Sequence, residues 1–319
     1  MEEQVPMSTI AVQADSLTYN YGSRCALSNV SFDVMAGCLF GLLGPNGSGK
    51  TTLFRLLSTL IPMQSGRLTV CGLDVAKAQA DVRRQLGVTF QSPAVDVRLT
   101  VIENLRCHGS IYGLSGHALR SRITEMLDRF QISDRASTLV GQLSGGLKRR
   151  VELAKGLMHN PRVLLLDEPT SGLDPRARQE FWELLLAQVK AQGTTVIVAA
   201  HLMTEAELCD QLLLLDQGVN IASGSPVELQ SRVSGERLTL KLRDVAEAQR
   251  PIEQLLQCSS VVSGNQLSLR VQNPGEHISA LLGQFREQIL GLELTRPSLE
   301  DVFLELTGRS LSGSGADHE

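Results

Sequence analysis

"LLGPNGSGKTTL", residues 42–53, sets three glycines, a lysine and two threonines between the apolar run "LFGLLG" and a leucine-rich stretch. The upstream run predicts a buried strand, and Leu53, Phe54, Leu56, Leu57 and Leu60 recur at helical spacing until Pro62. A strand feeding a helix through bare backbone has a physical use. Successive N–H groups converge where side chains would block them, and the helix adds its N-terminal partial charge. Gly44–Thr51 fits G-x-x-x-x-G-K-[ST], in which the lysine reaches the β- and γ-phosphates and the following hydroxyl serves Mg²⁺.

Working outward, "VLLLDE" (163–168) is an apolar strand that delivers Asp167 at its carboxyl end, where ligands of parallel sheets bind. Asp167 is expected to hold Mg²⁺ directly or through water, and Glu168 to polarise an attacking water. "LGVTFQ" ends in Gln91 and "TTVIVAAH" ends in His201, which puts both on the rim that carries Lys50 and Asp167. "LSGG" (143–146) opens a helix with Ser144 and two bare glycines, a second anion-binding helix end. Two such ends are redundant in one subunit, and make sense if the second closes on a nucleotide held by another subunit.

Apolar strands alternating with helices imply a parallel sheet covered on both faces. Residues 9 to about 35 read as short strands with turns at Gly22 and Gly37, and Pro93–Leu139 as mostly helix, with Thr100 and Glu103 forming a capping box. Asp174 caps a helix whose first position is Pro175. From Gly235 the order β-α-β-β-α-β matches a split βαβ, ferredoxin-like module, with "VAEAQRPIEQLL" as its first helix although Pro251 is a poor helix former. "PSLEDVFLEL" is a terminal helix with Leu299, Val302, Phe303 and Leu306 on one stripe, and 309–319 reads as a disordered tail.

Composition bounds the remainder. Hydrophobic residues make up 42% and charged residues 20%, as in a globular protein with a true core. The net charge of −4 steers the chain towards neither nucleic acid nor an anionic membrane. Six scattered cysteines without a C-x-x-C pair argue against a disulfide framework or a zinc site and fit free thiols in a reducing cytoplasm. The start lacks a signal-peptide pattern and no run reaches spanning length, so the protein is expected to be soluble and to reach a membrane only through a partner.

The ordered set "YNYG", "GPNGSGKTT", "FQSP", "LSGGLKRRVELAKGL", "LLLDEPTSGLDP" and "VAAH" resembles the ATP-binding subunits of ABC transporters over residues 9 to about 230. The resemblance implies an α/β P-loop NTPase of ABC type: a mixed β-core with an antiparallel β subdomain and a helical subdomain (about 92–160). The implied domain limits are 9–232 for the ATP-binding domain and 236–308 for the α+β accessory module. It further implies that Tyr21 stacks on adenine, and that Gly44, Pro45, Asn46, Gly47, Ser48, Gly49, Lys50, Thr51 and Thr52 cradle the phosphates of ATP. Ser144, Gly145 and Gly146 contact the γ-phosphate in trans, and Ser171–Asp174 is the D-loop, with Asp174 among the nucleotide-binding residues. Thr51, Gln91 and Asp167 serve Mg²⁺, Glu168 is the catalytic carboxylate, and His201 is the switch histidine.

Leu147, where Gln or Met commonly stands, and Ala200, where Thr is frequent, depart from the pattern without touching its chemistry. "RPSLEDVFLELTGR" is similar to the ending of ATPases that serve ABC-2 type exporters of drugs, polysaccharides or lipo-oligosaccharides. The implied partners are an integral membrane permease and a second ATPase subunit, most simply a homodimer at the cytoplasmic face of the inner membrane. An importer ATPase and a soluble ABC-type ATPase stay open as alternatives.

Overall fold

The computed structural model describes residues 10–309 apart from 92, 93, 201, 234 and 273, and apart from the side chains of 189 and 190. His201 and the tail 310–319 therefore lie outside the described residues. The chain divides into two compact units, the second starting at Pro226.

The first unit begins with β1 (Ile10–Tyr21), β2 (Arg24–Met35), β3 (Leu39–Leu43), α1 (Lys50–Leu57), β4 (Ser65–Val70), β5 (Leu73–Asp74), α2 (Gln79–Gln85) and β6 (Leu86–Thr89). Three helices follow: α3 (Val101–Ile111), α4 (Gly116–Arg129) and α5 (Gly145–Gly156). The unit closes with β7 (Val163–Asp167), α6 (Pro175–Gln192), β8 (Thr195–Ala200), α7 (Met203–Ala206), β9 (Gln211–Asp216) and β10 (Val219–Gly224).

A six-stranded sheet runs β10-β9-β3-β8-β7-β6, parallel throughout except for β10 at its edge. β3 and β8 are buried at every position, as two-sided coverage demands. A second, antiparallel sheet, β2-β1-β4-β5, has alternating burial along β2. Its inner face shares one core with α1 and the six-stranded sheet, where Val12, Leu17, Val34, Leu53, Leu165 and Ile197 are excluded from solvent. Phe32 of β2 and Phe40 of β3 stack across this core at 5.6 Å.

The capping box appears as expected, with Thr100 N–H donating to Glu103 Oε2 at 2.8 Å at the start of α3. α3, α4 and α5 pack on one another as a helical layer. Instead of several short pieces, residues 10–35 form two strands of twelve residues each. The helix after the phosphate loop stops at Leu57 rather than at Pro62, because Thr59 takes a left-handed φ of 60°. All six cysteines are free thiols, Cys38 and Cys209 being buried.

The second unit comprises α8 (Pro226–Ser231), β11 (Glu236–Leu242), α9 (Val245–Leu256), β12 (Ser260–Ser263), β13 (Gln266–Val271), α10 (Pro274–Phe285), β14 (Ile289–Thr295) and α11 (Leu299–Thr307). Its sheet is ordered β12-β13-β11-β14 with every neighbour antiparallel. β11 and β12 thus point the same way with β13 between them, the split βαβ arrangement. Leu238, Leu240, Leu242, Leu267 and Leu269 face Ala248 and Ile252 of α9 and Leu281 of α10. Pro251 sits inside α9 on its exposed side without ending the helix. The unit starts several residues before the expected 236 because α8 packs against α11.

Candidate active site

Register alone brings the chemistry together. Leu43 pairs with Ala200, Asp167 with Ala199 and Thr89 with Leu166, so β3, β8, β7 and β6 end on one rim. The phosphate loop leaves β3 at that rim.

Two of its glycines adopt backbone that L side chains resist: Gly47 at φ 82° and Gly49 at φ 108°. Gly44 is constrained by space instead, since a Cβ there would lie 2.2 Å from Leu215 O and 2.6 Å from Ser48 Oγ. Lys50, the first residue of α1, is 6% exposed, and its Nζ donates to the carbonyls of Gly44 (2.6 Å) and Pro45 (2.9 Å). Burial pulls its pKa down, while the charges of Glu168 and Asp167 work the other way.

A cavity of about 170 Å³ lies over the loop, lined by Tyr21, Asn46, Gly47, Lys50, Thr51 and Glu168 among others. Ser48 Oγ is buried beneath the loop without a protein partner. Thr52 is buried, whereas Thr51 faces solvent at the cavity. Tyr21, 41% exposed at the end of β1, meets Tyr19 edge to face at 4.9 Å and accepts from Arg55 Nη1 at 3.4 Å. Its ring offers a flat apolar surface at the mouth.

Asp167 closes β7. Burial and the adjacent Glu168 charge raise its pKa, opposed by Lys50 and Arg55. Glu168 has a left-handed φ of 45°, its N–H donates to Ala199 O at 3.1 Å, and its Oε2 accepts from Gln91 Nε2 at 2.9 Å. Asp167 and the Thr51 hydroxyl are hard oxygen donors, and no group of three metal-ligating side chains occurs among the described residues. This donor set suits Mg²⁺, which uses one or two protein oxygens and completes its shell with phosphates and water.

Ser144 caps α5, with its Oγ accepting from Leu147 N–H at 3.4 Å, and Ser144 and Gly145 are exposed. A Cβ on Gly146 would meet Ala177 Cβ at 3.1 Å. Ser144, Gly145 and Gly146 are not among the residues lining the phosphate-loop cavity. Gly145 borders a separate cavity of about 240 Å³ with Gln91, Lys148 and Ser171. Asp174 caps α6, its Oδ1 accepting from Ala177 N–H at 2.9 Å.

The structure thus gathers Tyr21, the phosphate loop, Asp167, Glu168 and Gln91, and leaves the α5 terminus apart from that cavity. Two buried contacts carry no local signal in the sequence. Arg149 pairs with Glu152 on α5, and Thr170, two residues after Glu168, donates to the buried Glu205 of α7.

The family model for ABC transporters matches residues 27–171. The daunorubicin resistance ATP-binding protein DrrA2 of Streptomyces coeruleorubidus is 39% identical over 97% of this chain and 99% of its own length. The Nod factor export ATP-binding protein I of Cupriavidus pinatubonensis is 37% identical over 96% of this chain and 94% of its own. Among solved structures, the dimeric post-hydrolysis state of the ATP-binding cassette MJ0796 bound to ADP and Pi aligns with a TM-score of 0.60. It is 27% identical over 67% of this chain and 98% of that one. The chain belongs to the ATP-binding subunits of ABC transporters, which hydrolyse ATP, dimerise and work with a membrane permease. Among the described residues no helix is long and apolar enough to cross a membrane.

Proposed function

We propose that this chain is the ATPase of an exporter, paired with a second copy of itself and with an ABC-2 type permease at the cytoplasmic face of the membrane. The observation that carries the hydrolytic part is the convergence of Lys50, Asp167, Glu168 and Gln91 on one sheet rim. Export is supported by relatives named for drug resistance and Nod factor export that align along almost the whole chain, second unit included.

In this reading residues 9–232 hold the nucleotide, with 92–160 as the helical subdomain and 236–308 as an accessory module. Tyr21 stacks on adenine. The N–H groups of 44–52 and the Lys50 ammonium bind the β- and γ-phosphates. Thr51, Asp167 and Gln91 would hold Mg²⁺, which supplies charge neutralisation on those phosphates. Ser144, Gly145 and Gly146 reach the γ-phosphate held by the other subunit, and Asp174 fixes the loop beside them. The exposed α5 terminus, outside its own subunit's cavity, supports this arrangement in trans. Closure excludes water except the one that Glu168 orients and deprotonates as it attacks phosphorus. His201, next in sequence after Ala200, serves as the switch histidine.

The test is reconstitution of the chain with the membrane protein encoded beside it. ATP-dependent accumulation of cargo in inside-out vesicles, lost on Mg²⁺ chelation, is expected. Accumulation only in right-side-out vesicles overturns export, and full activity without any membrane partner overturns the coupling.

A further inference from the structure

Arg149 and Glu152 lie one helical turn apart on α5 and form an ion pair at 2.7 Å, their side chains only 6% and 2% exposed. Arg149 Nη2 also donates to Gln91 O at 2.7 Å, and Nη1 to Phe90 O at 3.2 Å. Glu152 Oε1 accepts from Ala94 N–H at 2.7 Å, and Lys155 Nζ donates to Ala94 O. Residues 149, 152 and 155 recur every three positions, so one face of α5 grips the chain leaving β6.

A buried ion pair is poor evidence for stability, because apolar side chains of similar volume often do as well. What this pair supplies is direction. A planar guanidinium spends its donors on three fixed acceptors, two of them the main-chain carbonyls of Phe90 and Gln91. The side chain of Gln91 then reaches Glu168 at 2.9 Å.

We infer that Arg149 is a positioning residue for hydrolysis: it fixes the main chain of Gln91 so that the Gln91 amide stays on Glu168. The inference rests on the catalytic reading of Gln91 and Glu168. Arg149 stands about 7.5 Å along the helix axis from Ser144, at 1.5 Å per residue. On the trans arrangement proposed above, α5 would link the Ser144 end of one subunit's helix to that subunit's own Glu168.

Arg149→Ala would leave Glu152 buried and unpaired, so two gentler variants serve. Arg149→Lys keeps the charge but loses the planar fork. Arg149→Met with Glu152→Gln removes both charges and keeps an acceptor for Ala94. Each is compared with wild type and again in a Gln91→Ala background. For both variants the expected result is a loss in kcat of about tenfold, ATP Kd within about twofold and unchanged Tm. Without nucleotide, faster hydrogen exchange at the Ala94 amide is expected. In the Gln91→Ala background the same changes should alter kcat by less than about twofold, since the route through Gln91 is already gone.

A full tenfold loss in that background shows that Arg149 acts by another route and overturns the inference. So does unchanged kcat, or a rise in Kd that tracks a fall in Tm. If Gln91→Ala itself leaves kcat intact, the underlying reading of Gln91 falls, an outcome distinct from the failure of Arg149 alone.

Discussion

Gln91 Nε2 lies 2.9 Å from Glu168 Oε2, tying the second residue beyond β6 to the residue after β7. The bond orients a carboxylate whose own backbone sits at φ 45°, a conformation costing about 1–3 kcal/mol for a residue with a side chain. The strained turn is consistent with a need to aim Glu168 at the cavity over the phosphate loop, which it lines. Glu168→Gln keeps size and hydrogen bonding but removes the base. We expect kcat to fall at least about 100-fold with ATP affinity retained. A dimer should accumulate with ATP on size-exclusion chromatography. Turnover within about tenfold of wild type would assign the base elsewhere.

A glycine of the phosphate loop and the glycine of the β1–β2 turn separate two effects. Gly49→Ala meets both a φ of 108° and a Cβ 2.8 Å from Ala26 O, so the loop itself must shift. ATP Kd is expected to rise at least about tenfold, as for Lys50→Ala, which removes the loop's ammonium. Gly22→Ala, at φ 59° with open space around it, should cost about 1 kcal/mol of stability and leave ATP binding unchanged. Titration with a fluorescent ATP analogue and urea melts distinguish the two. Equal losses of affinity in both would show that ATP binding does not depend on the close approach at Gly49.

How much of this could be read in advance depends on how local the cause is. β3, β7 and β8 are legible because uninterrupted apolar runs leave no alternative to a sheet covered on both faces. The phosphate loop is legible because its glycines answer local backbone demands. "LKRRVELAK" is different. Charges three apart on a helix read as a solvated face, yet Arg149 and Glu152 turn inward while Lys148 and Arg150 are part-exposed. What decides this is Phe90, 59 residues upstream, and no local pattern carries that information. The same holds for Thr170 and Glu205, 35 residues apart. The end of α1 is not legible in the sequence, because the apolar spacing runs on through Leu60 although Thr59 has already left the helix.

The first unit should lose stability in mild acid. His108 and His159 lie beside Tyr112, whose ring stacks on His159 at 3.6 Å, and His108 Nε2 and His159 Nδ1 are buried without partners. Burial pushes both histidines down to about 4, reinforced by Lys155 beside His108 and by Arg122 beside His159. In the unfolded chain they titrate near 6.5. Between those values the unfolded state binds protons that the folded state refuses. Stability is therefore complete above about pH 6.5 and declines as pH falls towards 4. The urea midpoint should drop from pH 7 to pH 5, and His108→Gln with His159→Gln should flatten that slope. An identical drop in the double variant would exonerate the pair.

The second unit offers the sharpest test of side-chain placement, at Asp301. This carboxylate, 7% exposed, completes a capping box with Ser298 at the start of α11. It also pairs with Arg237 at 2.7 Å and Arg270 at 3.0 Å. Asp301→Ala keeps the Ser298 cap but removes the carboxylate half of the capping box and the shared partner of two part-exposed arginines, for an expected cost of about 1–2 kcal/mol. Glu305, 45% exposed, shares Arg270 at 3.2 Å, and Glu305→Ala should cost no more than about 0.5 kcal/mol because water screens that pair. Asp301→Asn should fall between, since its Oδ1 still accepts hydrogen bonds while the charge is gone. Urea unfolding followed by a probe in α11 measures all three, and equal costs at 301 and 305 would show that burial at Asp301 adds nothing.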